Sequence, residues 1–250
     1  MEKTCFPNRQ PFFLKGFLCV FIAMNIWACG HRTIKGNGEK VTQKRTVGSN
    51  VSALDIDAPV NATIHVVSGS VPEISLSGNK NLVDEIKVET EAGKVKIKSK
   101  HLINFDKEVY ADITVGTLTG LELKGVSDVK IEGHINTPKF ELKVSGAGEV
   151  VINDILTSQF EGKISGAGNL QILQGKMDNA TYKLSGAGNI TADQVESANV
   201  EAKISGAGSI KLFVTHTLHA MLSGAGSIQY KGNPKVESET SGIGSIEHIK

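Results

Sequence analysis

The sequence predicts an all-β protein: a parallel β-helix (β-solenoid) with coils of about 20 residues, preceded by an irregular β region. Three observations favour this fold class. A tetrapeptide, Ser-Gly-X-Gly, recurs six times, and its copies start at Ser145, Ser165, Ser185, Ser205, Ser223 and Ser241. Apolar and polar residues alternate on both sides of each copy, which is the period of a β-strand. Each copy is too short for two strands and a crossover helix, so we expect each to form one coil that pairs with the next.

The N-terminal segment, residues 1–28, is predicted to be a lipoprotein-type signal peptide. Basic residues precede a short apolar stretch that is too brief to span a membrane comfortably. Cys29 directly follows Ala28, so we expect cleavage before Cys29 and lipidation of its thiol. The alternative is an ordinary secretory signal cut near Ala28, which leaves Cys29 as an incidental thiol. Residues 29–45 are polar and contain glycine, and they are predicted to form a tether.

Residues 46–250 are predicted to form a single β-solenoid domain. Within it, residues 46–117 form an irregular or capping β region, because the terminal units of a repeat array are expected to be atypical. Residues 118–250 form the Ser-Gly-X-Gly coils. A degenerate copy at residues 121–131 precedes the first full tetrapeptide, with Gly125 at the position of Gly146.

The capping region contains three predicted elements. Leu54 to Val66 alternate between apolar and polar residues, which predicts one long half-buried strand with an edge or bulge at Pro59. Residues 81–85 are expected to form a helical turn. A hairpin is predicted around the turn at residues 90–93, which ends in glycine.

The paired glycines of each tetrapeptide have two structural explanations. Either the coil is too thin there for a Cβ atom, or the glycines take positive φ at a corner, and we favour the corner. A phosphate-binding loop is not expected, because it needs a following helix and a further glycine or a Gly-Lys-Ser/Thr sequence. The predicted structural turn glycines are Gly146, Gly148, Gly166, Gly168, Gly186, Gly188, Gly206, Gly208, Gly224, Gly226, Gly242 and Gly244.

The composition limits the chemistry that we expect. The chain has 27 basic and 26 acidic side chains, so no basic excess indicates nucleic acid. After signal cleavage Cys29 is the sole cysteine, and no internal disulfide is expected. His216 and His219 are predicted to lie on opposite faces of a strand, where they cannot share a metal ion. We therefore predict no catalytic residues, no cofactor and no metal, and a protein that is not an enzyme.

Charged residues recur at the outward positions. Their Glu-X-Lys pattern comprises Glu141 with Lys143, Glu161 with Lys163 and Glu201 with Lys203, and Lys183 continues the basic column. On a β-helix these residues form ladders of like charge about 4.8 Å apart, offset by the neighbouring ladder of opposite charge. We interpret them as a solvated face. The alternative is a docking face for a polyanion such as a polysaccharide.

These features together resemble a known family. The lipoprotein-like start, the alternating segment 54–66, the segment 81–86 before a glycine-turn hairpin and the serial Ser-Gly-Ala-Gly coils are similar to the putative auto-transporter adhesin, head GIN domain family of Bacteroidetes-type bacteria. The resemblance covers roughly residues 46–230. It implies a β-helix-like fold, a cell-envelope location and adhesion, and it brings no catalytic residues. The last coil departs from the pattern, with Ile243 in place of alanine.

We therefore predict a non-enzymatic β-solenoid that is anchored to the outer membrane through lipidated Cys29 and is periplasmic or surface-exposed. Its expected role is binding or adhesion, with a glycan or an envelope protein as ligand and without nucleic acid. The alternatives are a self-associating scaffold of the envelope and a β-helical enzyme acting on polysaccharide. The open C-terminal end could dimerise or be covered by N-terminal strands, but we expect a monomer. Charged residues at this end are expected to prevent its strands from pairing with another chain, and they are Glu237, Glu239, Glu247 and Lys250.

Overall fold

The structure, a computed structural model, describes residues 34–101 and 109–250. The predicted signal peptide (1–28) and the predicted lipidation site, Cys29, lie outside the described residues. The described chain is a β-solenoid of about six turns, so the predicted fold class is confirmed. Among the described residues, no helix is both long enough and apolar enough to cross a membrane.

The strands fall into an N-terminal set and a repeated set. The N-terminal elements are β1 (Lys40–Arg45), β2 (Ala53–Asp57), β3 (Asn61–Val66), β4 (Glu73–Asn79), α1 (Lys80–Val83), β5 (Ile86–Glu91), β6 (Lys94–Ser99), β7 (Val109–Val115) and β8 (Gly120–Leu123). The repeated strands are β9 (Val129–Val144), β10 (Ala147–Ile164), β11 (Ala167–Ile172), β12 (Gly175–Leu184), β13 (Ala187–Ile204), β14 (Ala207–Leu222), β15 (Ala225–Lys231), β16 (Lys235–Thr240) and β17 (Ile243–His248).

Each repeated coil has three sides, as β10 illustrates. Its first part, 147–152, pairs in parallel with β11, and its second part, 155–164, pairs in parallel with β12. Strand pairing skips positions 153 and 158, and the alternation of buried and exposed side chains breaks at the same places. The chain therefore bends at both positions, and it bends again at the Ser-Gly step that follows Ile164.

The coils remain in register although their lengths differ. The third residue of each tetrapeptide pairs with the same residue of the next coil, from Ala147 to Ile243. In the pairing of β13 with β14, one residue is gained between Ser197 and Asn199. Three residues are lost at the bend where the pairing jumps from Ala192 to Glu196, so the 18-residue repeat is two residues shorter. At this bend the ammonium group of Lys231 lies 2.9 Å from Asp193 Oδ2. Length variation is thus confined to two neighbouring bends and leaves the first and third sides of the coils aligned.

The core consists of side chains stacked from coil to coil. One column comprises Val144, Ile164, Leu184, Ile204 and Leu222, all of them buried. The rings of Phe140, Phe160 and Tyr182 also pack together in the core, with successive ring centroids 6.1 and 5.2 Å apart, although Tyr182 pairs in register with Gly162 and not with Phe160. All three side chains are buried. Burial raises the pKa of the Tyr182 phenol, because the charged form would lose its hydration.

The N-terminal region confirms two predicted elements and corrects a third. The helical turn α1 and the antiparallel β5–β6 hairpin lie where the sequence predicts them. The segment from Leu54 to Val66, however, is not one strand but two, β2 and β3. Pro59 has no N–H for a ladder, and the Val60 N–H donates to Ala58 O at 2.9 Å, so the chain turns a corner there.

The predicted tether also contains regular structure. Residues 40–45 form β1, which pairs antiparallel with β4 over its whole length. The Asn37 N–H donates to Asn81 Oδ1 at 3.0 Å, so residues before β1 also contact the solenoid. The predicted tether, 29–45, therefore overlaps a strand of the solenoid, because residues 40–45 pair with the edge of β4.

The first coil of the chain lies inside the stack rather than at its end. β2 is flanked by the parallel strands β6 and β8, and β3 is flanked by the parallel strands β7 and β9. The antiparallel strands β1, β4 and β5 cover the N-terminal end. At the C-terminal end, β16 pairs with β14 and β17 pairs with β15. Within the described residues neither has a strand on its other side.

Candidate functional site

A ladder of lysines runs along one side of the solenoid. In each coil the residue before the last core residue points outward, so Lys183 is half-buried and solvent-facing while Leu184 is buried. Parallel pairing in register places each lysine opposite the lysine of the next coil. The ladder comprises Lys143, Lys163, Lys183 and Lys203. Strands are about 4.8 Å apart, so the predicted ladder is confirmed with one lysine per coil.

A ladder of serines follows immediately at the bend. The Ser145 hydroxyl lies 3.2 Å from Leu123 O and the Ser185 hydroxyl lies 3.4 Å from Ile164 O, each a carbonyl of the preceding coil. These hydroxyls donate to the backbone and leave their oxygen lone pairs facing solvent. The ladder comprises Ser145, Ser165, Ser185 and Ser205, all of them exposed.

The two ladders border one concave surface, which we call the Lys–Ser groove. It has a volume of about 480 Å³ and crosses four coils in the direction of the solenoid axis. Glu122 and Glu201 also line it. A neighbouring depression of about 450 Å³ shares Glu122 and Lys143 and adds Lys94 and Lys139. A concave surface of this length can accommodate an extended ligand.

The acidic residues beside the ladder neutralise only part of it. Glu141 accepts a hydrogen bond from Lys139, and Glu161 accepts one from Lys163. These bonds hold the pKa of each carboxyl below its ordinary value. The next position of the acidic column is Thr181, so Lys183 has no acid at this place on its own strand. Among the described residues, neither Lys183 nor Lys203 makes an ion pair. The groove is therefore lined by four lysines and two glutamates, Glu122 and Glu201, and carries a net positive charge.

The turn glycines lie at or beside the bends that carry the serines. A Cβ on Gly166 would lie 1.8 Å from Gly146 O, and its φ lies outside the left-handed region. Close approach of adjacent coils, not positive φ, therefore requires the first glycine of each copy: Gly146, Gly166, Gly186, Gly206, Gly224 and Gly242. The favoured corner explanation is wrong for these six, since it invoked positive φ.

The second glycines are a mixed set. Gly148 has φ 138°, so glycine is favoured there by backbone conformation as well as by the nearby Ser127 O. Positive φ also occurs at Gly188, Gly208 and Gly244, whereas Gly168 and Gly226 lie outside the left-handed region.

The predicted placement of His216 and His219 on opposite faces of a strand is wrong. His216 and His219 are both exposed, because the chain bends near Thr215 and interrupts the alternation. The His216 Nδ1 lies 2.9 Å from Thr215 Oγ1. Within residues 34–101 and 109–250, no three His, Cys, Asp or Glu side chains are close enough to hold a metal ion.

The sequence indicated the lysines of the groove but not that the serines would line it beside them. Each serine follows its lysine by two residues, and this fixed offset was the available evidence. Because the chain bends between the two positions, alternation along a straight strand does not predict that both side chains border one groove.

Comparisons with known proteins identify a family and solved structures that resemble this chain. The sequence profile of a family described as "Putative auto-transporter adhesin, head GIN domain" matches residues 54–234. A crystal structure of a putative adhesin from Bacteroides fragilis is 28% identical, with a TM-score of 0.80, and the match covers 86% of this chain and 100% of that one. No curated protein matches the chain.

Two further crystal structures share the fold at lower identity. A putative adhesin from Parabacteroides merdae is 21% identical, with a TM-score of 0.69, and the match covers 87% of this chain and 99% of that one. A protein from Parabacteroides distasonis, described as a putative lipid binding protein, is 22% identical with a TM-score of 0.70. That match covers 88% of this chain and 100% of the other.

Proposed function

Because the chain belongs to the putative auto-transporter adhesin, head GIN domain family, we propose that it is a non-enzymatic, adhesion-like module of the bacterial cell envelope. The β-solenoid supports this role, since stacked coils present long repetitive surfaces. The similar structure from Bacteroides fragilis, itself described as a putative adhesin, is consistent with it. The module is proposed to be held at the outer membrane, on its periplasmic or outer side, by lipidated Cys29.

One observation supports a binding role most strongly: lysine and serine ladders in register border one groove across four coils. We propose that an acidic polysaccharide lies in the Lys–Ser groove along the solenoid axis. Ammonium groups attract carboxylates, and Lys183 and Lys203, which make no ion pair among the described residues, are expected to contribute most. One charged sugar unit per coil would match the repeat of the ladder.

Nucleic acid fits the groove less well. Proteins that bind single strands stack bases on aromatic side chains, and none of the residues that line the Lys–Ser groove is aromatic. The near-neutral composition also lacks the basic excess of such proteins. The acidic residues that border the groove, Glu122 and Glu201, would oppose a ligand with dense phosphate charge.

The groove is tested with the full-length protein, solubilised in a detergent without a sugar head group. Hexagalacturonate binding is measured by calorimetry for the wild type and for the double variant Lys183→Gln/Lys203→Gln. We expect about tenfold weaker binding by the variant, because exposed ion pairs contribute up to about 1 kcal/mol each. Lys211→Gln is the control, since Lys211 is exposed on another side of the coil. Equal affinity of all three proteins, or no wild-type binding, would contradict the proposal.

The anchor is tested separately in cells. Cys29→Ser is expected to abolish lipidation and to leave the protein either unprocessed or released from the membrane fraction. Each buried methylene of a lipid chain contributes about 0.8 kcal/mol of membrane affinity, so losing the chains has a large effect. A Cys29→Ser protein that is cleaved normally and still partitions into detergent like the wild type would refute lipid anchoring.

A further inference from the structure

A second concave surface lies on another side of the solenoid. It has a volume of about 540 Å³ and follows β3, whose short outward side chains Asn61 and Thr63 form its floor. In register, Tyr110 of β7 lies opposite Asn61, and Lys130 of β9 lies opposite Thr63. Because short side chains lie between longer ones, a depression runs along the strand. We call this surface the Tyr110 groove.

Tyr110 is the distinctive residue of this surface. Its side chain is 54% exposed, whereas its neighbours Val109 and Ala111 point inward and are buried. A tyrosine ring offers an apolar surface with one polar tip, which suits a ligand that has both apolar and hydroxyl-bearing parts. The strand alternation alone predicts this outward orientation.

Polar groups at the edge of the groove are held in position by a chain of contacts. The Nε2 of His65 lies 3.2 Å from Asp112 Oδ2, and its Nδ1 lies 3.3 Å from Glu132 Oε2. The ammonium group of Lys130 lies 2.7 Å from the other oxygen of Glu132. Asp112 and Lys130 therefore face the groove from defined positions. A few fixed polar groups beside an exposed ring are typical of small-ligand sites.

The charge of the groove restricts its ligand. The residues that line it include the carboxylates of Asp112, Asp128 and Glu149 but only one ammonium group, that of Lys130. A ligand that carries carboxylates or phosphates would be repelled. The Tyr110 groove is thus opposite in net charge to the Lys–Ser groove, and the two surfaces are expected to select different ligands.

We propose that the Tyr110 groove binds an uncharged pyranose unit of a polysaccharide. The apolar C–H face of the sugar packs on the ring of Tyr110, and adjacent hydroxyls donate to the two oxygens of Asp112. Thr63 and Lys130 complete the polar contacts. This site is separate from the Lys–Ser groove and goes beyond the proposed function, because it gives the module a subsite for neutral sugar.

The test uses the full-length protein in the same detergent and four neutral probes: cellohexaose, mannohexaose, xylohexaose and maltohexaose. We expect at least one to bind with a Kd of about 1 mM or better. Tyr110→Ala should weaken that binding about tenfold or more, as truncation of a central aromatic contact commonly does. Tyr110→Phe keeps the ring and should bind within about twofold of wild type. Failure of all four probes to bind, or wild-type affinity of Tyr110→Ala, would overturn the proposal.

Two controls separate this site from the fold and from the other groove. Thermal unfolding of Tyr110→Ala should match that of wild type, since the ring lies outside the core. If that variant unfolds, Asp112→Asn serves instead, and unchanged neutral-sugar binding by Asp112→Asn would count against the site. The double variant Lys183→Gln/Lys203→Gln should keep neutral-sugar binding while it loses affinity for hexagalacturonate, so failure of one proposal does not imply failure of the other.

Discussion

The first glycine of each tetrapeptide sets how closely adjacent coils approach. At Gly166 a Cβ would lie 1.8 Å from Gly146 O, a distance that no side chain rearrangement can relieve because the neighbour is backbone. Gly168, two residues later, is less confined: its Cβ would meet Gly148 O at 3.1 Å and Val144 Cγ1 at 3.3 Å. The two positions of one tetrapeptide therefore differ in how far they exclude a methyl group.

This difference predicts unequal effects of the same substitution. Gly166→Ala should destabilise the protein by about 3 kcal/mol or more, because the coils must separate at the bend. Gly168→Ala should cost about 1 kcal/mol or less, because small shifts relieve its contacts and alanine reduces the entropy of the unfolded chain. Urea unfolding of both variants measures the difference. Equal losses of stability would contradict the assigned close approach.

The sequence predicts where these glycines lie, but not why glycine is required there. The period of the tetrapeptide places each pair at a bend, and the structure agrees. Close backbone approach and positive φ both require a residue without Cβ, so the presence of glycine alone cannot distinguish them. The distinction depends on the carbonyl of a coil that is about 20 residues away.

The strands are stabilised by core residues that stack in columns, one residue from each of several adjacent coils. Leu184 is buried between Ile164 and Ile204, which pair with it in register, while the adjacent Lys183 faces the Lys–Ser groove. Inward and outward residues of one strand thus have separate roles. The inward residues hold the coils together, and the outward residues form the binding surface.

Substitution of adjacent residues tests this separation. Leu184→Ala should destabilise by about 3 kcal/mol, because it removes buried methyl groups and leaves a cavity between coils. Lys183→Gln should change stability by less than about 0.5 kcal/mol, since its side chain faces solvent. Thermal and urea unfolding provide the measurement. Similar losses in the two variants would show that the assigned orientation is wrong.

Two elements were not predictable from local sequence alone. Ala58 and Val60 stay buried on either side of Pro59, so the alternation from Leu54 to Val66 continues through a corner and resembles one strand. β1 has a single apolar residue, Val41, because it is an edge strand that covers little of the core. It is ordered by pairing with β4, whose paired residues are 29 to 39 positions away in sequence, and no local sequence pattern indicates that pairing.

The whole molecule has two unlike ends. Antiparallel strands cover the N-terminal end, whereas the last coil presents β16 and β17 with exposed side chains and with Ile243 84% exposed. The acidic residues Glu237 and Glu239 are exposed on β16. Charge along an unpaired edge opposes pairing with another chain.

We therefore expect the full-length protein to be monomeric at micromolar concentration. We also expect the Ile243→Lys variant to have the same oligomeric state. Sedimentation in detergent, corrected for bound detergent, measures both proteins. A stable wild-type dimer that Ile243→Lys disrupts would contradict this expectation and would favour a self-associating scaffold of the envelope.

The repeat period was enough to predict the solenoid, its core columns and the lysine ladder. The two grooves were not predictable, because their shapes depend on side chains from strands that are distant in sequence. In the Tyr110 groove, β3 lies between β7 and β9, so Thr63 lies beside Asp112 and Lys130 although about 50 or more residues separate them. Concavity therefore arises from the stacking order of coils, which a linear pattern does not show.

The most direct test of the central claim is how affinity depends on ligand length. An acidic polysaccharide that lies along the solenoid axis should gain one ammonium contact per coil. The affinity of the full-length protein for galacturonate oligomers should therefore rise with each added unit and level off at about four units, when the Lys–Ser groove is filled. In the Lys183→Gln/Lys203→Gln variant the rise should be much smaller. Affinity that is independent of length, or a rise that the variant retains in full, would contradict the account.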